Sequence, residues 1–173
     1  LNSEDVLAAL NAIKTLGIKY ELRKNTCKIY GKGIAGYKYK KNLIINAENS
    51  GTLGRLILGL LINTKYPIKI IGDKSLSRRD FSRVTRPLSK FGVKFKLSKG
   101  KNLPLIIFGS QKLDSIEYIE KKGSAQCKSS VILGGMRVSG TTIIKAKKSR
   151  NHTELLCKYL NLPISVKIKK DYD

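Results

Sequence analysis

NLIINAENSGTLGRLILGLLINTKYPIKII, residues 42–71, reads as strand, helix and strand in direct succession. NLIIN and PIKII are short β-branched runs of strand length, and GTLGRLILGLLIN between them is long enough for a helix. That helix is apolar nearly all round, which places it inside a globular fold rather than on its surface. The apolar run at 56–62 is far too short to cross a bilayer, which needs about 20 residues. At the helix opening stands Asn49-Ser50-Gly51-Thr52-Leu53-Gly54-Arg55. Free backbone amides, a hydroxyl and a glycine that allows close approach suit a small anion such as phosphate or carboxylate. Ser, Gly and Thr also serve simply as helix caps, and the stretch alone leaves both readings open.

The pattern recurs with a period of about 75 residues, the kind of self-similarity that marks a repeated structural unit. SIEYIE, SAQCKSSVILGGM and TTIIKA repeat the strand, helix and strand further along. A second kind of block occurs three times: Ser3-Glu4-Asp5 opens a helix stopped at Gly17 before IKYEL, Ser77-Arg78-Arg79-Asp80 opens one stopped at Gly92 before VKFKL, and Ser149-Arg150-Asn151 opens one stopped near Pro163 before ISVKI. Serine at the cap, apolar residues at helical spacing and Gly or Pro at the stop agree in all three. The fold expected is α/β, with repeated βαβαββ units in about two and a half copies near 1–42, 43–110 and 111–173, forming one globular domain over 1–173 with buried central helices and sheets around them. The first copy lacks its opening strand and helix. With Leu1 already inside a helical pattern and Met136 the only methionine, the chain is read as a piece of something longer. The helix over 78–91 is amphipathic and expected outside, and Pro87 within it predicts a kink or an early end.

Composition narrows the classes. A chain of 173 residues with 41% hydrophobic content can bury a core and is not disordered. Its 35 basic and 12 acidic residues leave +23, which first suggests a polyanionic partner. The 27 lysines and 8 arginines are spread along the chain, however, whereas readers of phosphate and base edges favour the arginine fork. Tyr37-Lys38-Tyr39-Lys40-Lys41 interleaves rings and charges as a stacking surface would, and an edge strand or exposed loop gives the same pattern. Cys27, Cys127 and Cys157 are odd in number and widely spaced, so neither a disulfide framework nor a metal site is indicated and a reducing cytoplasm fits best. No signal peptide appears. Neither nucleic acid nor membrane is expected as a partner, and no cofactor is implied.

Three polar clusters open helices at matching places: 49–55, 75–83 and 123–130. Ser124, Gln126 and Lys128 combine hydroxyl, amide and cation at a helix start, suited to a phosphate or sugar hydroxyl, or simply to a solvated first turn. Arg79 beside Arg78 can clamp a carboxylate or phosphate, or be one of a solvated pair. Arg55, one turn into a buried helix, reads as an internal ion-pair partner. His152 is the only histidine, and with no G-x-S-x-G elbow a triad reading fails.

The strings NSGTLGR, GDKSLSRRDFSRVTRPLSKFGV, GSAQCKSS and SRNHTELL, in this order and spacing, resemble the enolpyruvyl transferase family, in its shikimate branch. Members are built from six βαβαββ units, three in each of two domains, and the resemblance covers most of one domain. It implies transfer of the enolpyruvyl group of phosphoenolpyruvate to the 5-hydroxyl of shikimate 3-phosphate, through a tetrahedral intermediate with release of phosphate. It assigns phosphoenolpyruvate to Gly51, Thr52, Arg79 and Gln126, and shikimate 3-phosphate to Ser124, Ala125, Gln126, Ser149 and Arg150. A glycine at position 51 resembles the glyphosate-sensitive type. Two features depart from the family: Asn151 stands where Asp is usual and is given no role, and the Lys-Ser-x-x-x-Arg motif expected before Leu1 is absent, as are the groups of the other domain. Catalytic residues are therefore expected mostly outside this chain, with the second domain as its partner in an enzyme that is a monomer when complete. The branch acting on a UDP-linked amino sugar is the nearest alternative, and a basic nucleic-acid-binding module is the alternative from another class.

Overall fold

The computed structural model describes residues 3–34 and 36–169. Helix α1 (Glu4–Thr15) starts where Ser3 Oγ accepts from the Val6 N–H, with Glu4 and Asp5 in the first turn against the positive end of the helix dipole. It stops at Gly17, whose φ of +80° favours glycine and where an added Cβ would lie 2.6 Å from the Lys38 carbonyl oxygen, leaving no room for a side chain. The antiparallel hairpin of β1 (Lys19–Arg23) and β2 (Thr26–Tyr30) comes after it. Leu1 and Asn2, where the helical pattern begins in the sequence, lie outside the described residues.

A complete βαβαββ unit comes next: β3 (Leu43–Asn46), α2 (Gly51–Leu60), β4 (Ile68–Ile71), α3 (Ser82–Ser89), β5 (Lys94–Ser98) and β6 (Asn102–Phe108). Its four strands form one sheet in the order β3-β4-β6-β5, with β3 parallel to β4 and the other pairings antiparallel. The chain then repeats the opening of that unit with β7 (Glu117–Glu120), α4 (Ala125–Gly135) and β8 (Ile143–Ala146), β7 and β8 again pairing in parallel, followed by α5 (His152–Tyr159). The architecture is mixed α/β.

Helices α2 and α4 pack against one another at the centre, as their all-round apolar character requires. Their approach is close because Gly59 faces the backbone of α4, where an added Cβ would lie 2.1 Å from the Ser130 carbonyl oxygen. Ser130 completes the contact by donating its hydroxyl to the Arg55 carbonyl (3.0 Å). Around this pair, Leu58, Leu61, Ile62, Ile68, Ile70, Leu76, Phe81, Leu88, Phe91 and Leu105 are wholly buried.

Three sequence expectations are corrected. The segment ISVKI, read as a strand, has no strand geometry, because among the described residues no neighbour supplies a ladder. The α3 helix starts at Ser82 rather than after Ser77: residues Leu76–Arg78 form a short 3-10 turn, and the Asp80 carboxylate accepts from the Ser82 N–H and hydroxyl, restarting the chain in a new direction. That helix ends early, at Ser89, two residues after Pro87, as the proline leads one to expect, whereas α5 ends at Tyr159, well before Pro163. Of the readings left open for 37–41, the structure has a loop, with its two tyrosines turned inward. Tyr37 and Tyr39 pack against the core, with Tyr39 edge-on to Tyr66 and its hydroxyl accepting from the Tyr66 N–H (3.1 Å). All three cysteines are free thiols, no helix among the described residues is long and apolar enough to cross a membrane, and no metal-ligating cluster occurs among them.

Candidate functional site

Parallel strands leave their C-terminal ends on one edge, so the segments leaving those ends meet there. After β3 comes the Ser50 cap of α2, whose Oγ accepts from the Leu53 N–H (3.2 Å); after β7 comes the Ser124 cap of α4, accepting from Cys127 (3.4 Å). After β4 comes the turn carrying Arg79, and after β8 the segment with Ser149 and Arg150. The packing of α2 on α4 merges these openings into one polar face.

The loops behind the face are tied down by carboxylates. Asp73 accepts from Asn49 Nδ2 (2.6 Å) with one oxygen and from the Leu76 N–H (2.6 Å) with the other, so the turn after β4 is clasped to the α2 opening. The Leu76 amide, with the Asn49 bond, holds the Asp73 carboxyl below the usual carboxylate range. Buried Glu120 does the same for α4, accepting from the amides of Lys122 (3.2 Å) and Ser124 (2.9 Å). Asn102 donates to the Arg79 carbonyl (3.2 Å), fixing the backbone from which that arginine extends.

At the centre, Gly51, Thr52, Arg55, Arg79 and Gln126 come together. A Cβ on Gly51 would lie 3.0 Å from an Nη1 of both Arg55 and Arg79, so the missing side chain is what lets two guanidinium groups close on that backbone. Gln126 bridges the two helices, accepting from Arg55 Nη1 at 2.8 Å and donating through Nε2 to Thr52 Oγ1 at 3.1 Å. The Arg55 guanidinium lies over the buried Phe81 ring, 5.2 Å from its centroid. Burial pushes it below its ordinary range, and the charges of Arg79 and Arg83 push the same way. Cations this close to one another, with Asp80 as a partial counterweight, favour an anion between them.

All four residues read as phosphoenolpyruvate ligands are thus gathered at one point. Of the second set, Ser124, Ala125 and Gln126 occupy the cap and first turn of α4, and Gly123 abuts the Lys148 carbonyl, which keeps Ser149 and Arg150 beside that opening. Arg150 is exposed, while Ser149 Oγ is buried without a hydrogen-bond partner among the described residues. Lys128 is the clear correction. Although one turn inside α4, it is buried and directed at α5, where its Nζ meets Glu154 Oε1 at 2.5 Å, so it serves the packing of two helices and not the anion face. Arg55 also departs from expectation: among the described residues no carboxylate pairs with it, and its partner is an amide on another helix. His152 begins α5, and Asn151 stands at its cap position without a side-chain cap bond. Asp73 carries little signature in the sequence; the only local signal is an aspartate three residues before an amide that needs a partner.

The chain has clear relatives among known proteins. The family model described as EPSP synthase (3-phosphoshikimate 1-carboxyvinyltransferase) matches residues 1–172. A 3-phosphoshikimate 1-carboxyvinyltransferase of Thermoanaerobacter sp. (strain X514) is 40% identical over 157 residues, 90% of this chain and 36% of that protein. One of the same name from Ruthia magnifica subsp. Calyptogena magnifica is 40% identical over 171 residues, 98% of this chain and 39% of the relative. Among solved structures, EPSP synthase from Acinetobacter baumannii superposes with a TM-score of 0.87 at 32% identity, covering 99% of this chain and 39% of that one. The chain therefore spans well under half the length of the relatives it matches.

Proposed function

The chain belongs to the EPSP synthase family, and from that premise we propose that it supplies one face of an enolpyruvyl transferase site, which accepts phosphoenolpyruvate and shikimate 3-phosphate and joins them with release of phosphate. The observation that carries this reading is Gln126, hydrogen-bonded at once to Arg55 and Thr52, which makes the openings of α2 and α4 a single donor array beside Gly51. In the proposal Gly51, Thr52, Arg79 and Gln126 hold phosphoenolpyruvate. Ser124, Ala125, Gln126, Ser149 and Arg150 hold shikimate 3-phosphate.

The physical argument is one of charge and placement. Both substrates are polyanions, and helix amides with preset cations stabilise their charge without reorganising as it shifts during reaction. Ser149 Oγ, buried and without a hydrogen-bond partner among the described residues, is a donor the shikimate phosphate would satisfy. The described carboxylates nearest this face are already engaged: Asp73 and Glu120 accept from backbone amides, Asp80 accepts from Ser82, and Glu154 faces Lys128. The chain by itself is therefore proposed to bind shikimate 3-phosphate weakly and not to turn over. That the relatives are 3-phosphoshikimate 1-carboxyvinyltransferases supports the shikimate acceptor over a UDP-linked amino sugar.

Titration of the 15N-labelled chain with shikimate 3-phosphate, then with phosphoenolpyruvate, tests the reading. Amide shifts should concentrate at 123–126 and 149–150 for the first and at 51–53 for the second, and Gln126→Leu should weaken both. A uniform, salt-sensitive response to any polyanion, nucleic acid included, would overturn it. So would full turnover in a phosphate-release assay, as regards the chain's inactivity alone.

A further inference from the structure

Arginine carries five N–H donors and no acceptor, whereas a glutamine amide presents oxygen on one side and NH2 on the other. With Arg55 Nη1 2.8 Å from Gln126, the side of the amide facing it must be the oxygen. The NH2 then faces Thr52, 3.1 Å away, and the Thr52 oxygen is committed to accepting. A hydroxyl has a single proton, so that of Thr52 is left free to point outward from an exposed side chain. The three groups form a relay in which every hydrogen bond runs in one direction, from Arg55 through Gln126 to Thr52, and each bond polarises the next.

We propose that Arg55 is a positioning residue, resting on the functional reading above: by donating to the Gln126 carbonyl oxygen it fixes which way round the amide sits, and so makes Thr52 a donor toward the anion that Gly51 and Arg79 face. Without it the amide can turn over. Its oxygen would then accept the Thr52 proton, and the hydroxyl would present lone pairs to a negative ligand. The guanidinium is itself held for this task. Phe81, wholly buried, supports its flat face at 5.2 Å, and the Gly51 carbonyl accepts a long bond from the same Nη1 (3.5 Å). Arg55 and Gln126 are 71 residues apart, so the orientation exists only when α2 and α4 are docked.

The chain contains two glutamines, and the second, Gln111, donates to the Asn63 carbonyl elsewhere, so side-chain amide spectra of the labelled whole chain report on Gln126 with a built-in control. In the ligand-free protein the Gln126 NH2 pair should sit away from the free-amide position, move to it in Arg55→Met, and stay displaced in Arg55→Lys, which keeps a donor-only group; Gln111 should not respond. Phosphoenolpyruvate affinity should fall by about tenfold in Arg55→Met, the size expected for losing a charge-assisted hydrogen bond, and by less than about threefold in Arg55→Lys. In a Gln126→Leu background the Arg55→Met change should cost no more than about twofold, because Arg55 acts through the amide that has gone. An unmoved Gln126 pair in folded Arg55→Met, or affinity losses that simply multiply in the double variant, would overturn the proposal. A wild-type chain that takes up no phosphoenolpyruvate while its Gln126 pair still answers to Arg55 would sink the functional reading and leave the orienting role standing.

Discussion

Helices α3 and α5 occupy matching places, each following the second strand of a parallel pair and each leaning on α4, yet they are held by opposite means. On and beside α3, Phe81, Val84, Leu88 and Phe91 are all wholly buried, and the β5–β6 hairpin next in the chain closes the sheet over them. On α5, Leu155, Leu156 and Leu160 are more than half exposed and Tyr159 is 82% exposed. Contacts that α5 does make are polar: the Lys128–Glu154 pair and a 2.7 Å bond between the Ser129 and Thr153 hydroxyls, beside buried Cys157. The difference teaches that helices at matching places can be held by apolar burial under a hairpin, as α3 is, or by polar contacts with a neighbouring helix, as α5 is among the described residues.

Substitutions at the two helices can break that contrast. The largest effect is expected for Phe91→Ala, which opens a cavity against Gly134 in α4 and should cost about 4 kcal/mol in denaturant unfolding. A cost under about 1 kcal/mol would show that α3 is not sealed as described. Glu154→Gln should come next, at up to about 3 kcal/mol, because it takes away the carboxylate that the buried Lys128 ammonium meets. The loss should appear first as faster hydrogen exchange in α5, and Lys128→Met added to it should restore much of the stability. If α3 and α5 respond alike, the charge pair is not what holds α5.

Acid sharpens the comparison in another way. The Ser82 hydroxyl, and with it the Ser82 amide, holds the Asp80 carboxyl below its usual range, so the unfolded chain binds a proton there more readily than the folded one. Its contribution is thus complete above the ordinary aspartate value of about 3.9 and is lost as pH falls below it. Asn151 at the start of α5 makes no cap bond and does not titrate. Between pH 5 and 3, amide protection, taken relative to the intrinsic exchange rate at each pH, should fall at the start of α3 in the wild type and be already low, and flat with pH, in Asp80→Asn; an unchanged profile in that variant would remove Asp80 from the account. The smallest effect belongs to Leu156→Ala, expected within about 0.5 kcal/mol of wild type because the side chain already faces solvent. A cost near that of Phe91→Ala would mean that α5 is covered in solution.

Much of the fold is legible in the sequence. The serine caps at Ser3, Ser50 and Ser124, the strands flanking α2 and α4, and the burial of those two helices follow from local chemistry and period. Where the sequence misleads, a distant group or its absence has intervened: the restart at Asp80, which the 3-10 turn and Ser82 jointly impose, and ISVKI, a strand pattern without a ladder. Motif order singles out Gly51, Thr52, Arg79 and Gln126, which the fold then brings together, whereas Lys128 stands in the same motif and faces α5.

What the sequence by itself determined is the set of local units and the residue types at each helix opening, because caps, periodicity and glycine stops act within a few residues. What only the tertiary structure decided is which of those residues meet. The Arg55–Gln126 and Gln126–Thr52 bonds join groups 71 and 74 residues apart, and the direction of each depends on two helices docking at Gly59. An amide placed by long-range packing has no local signature, and that is why the polarity of the site became readable only in the fold.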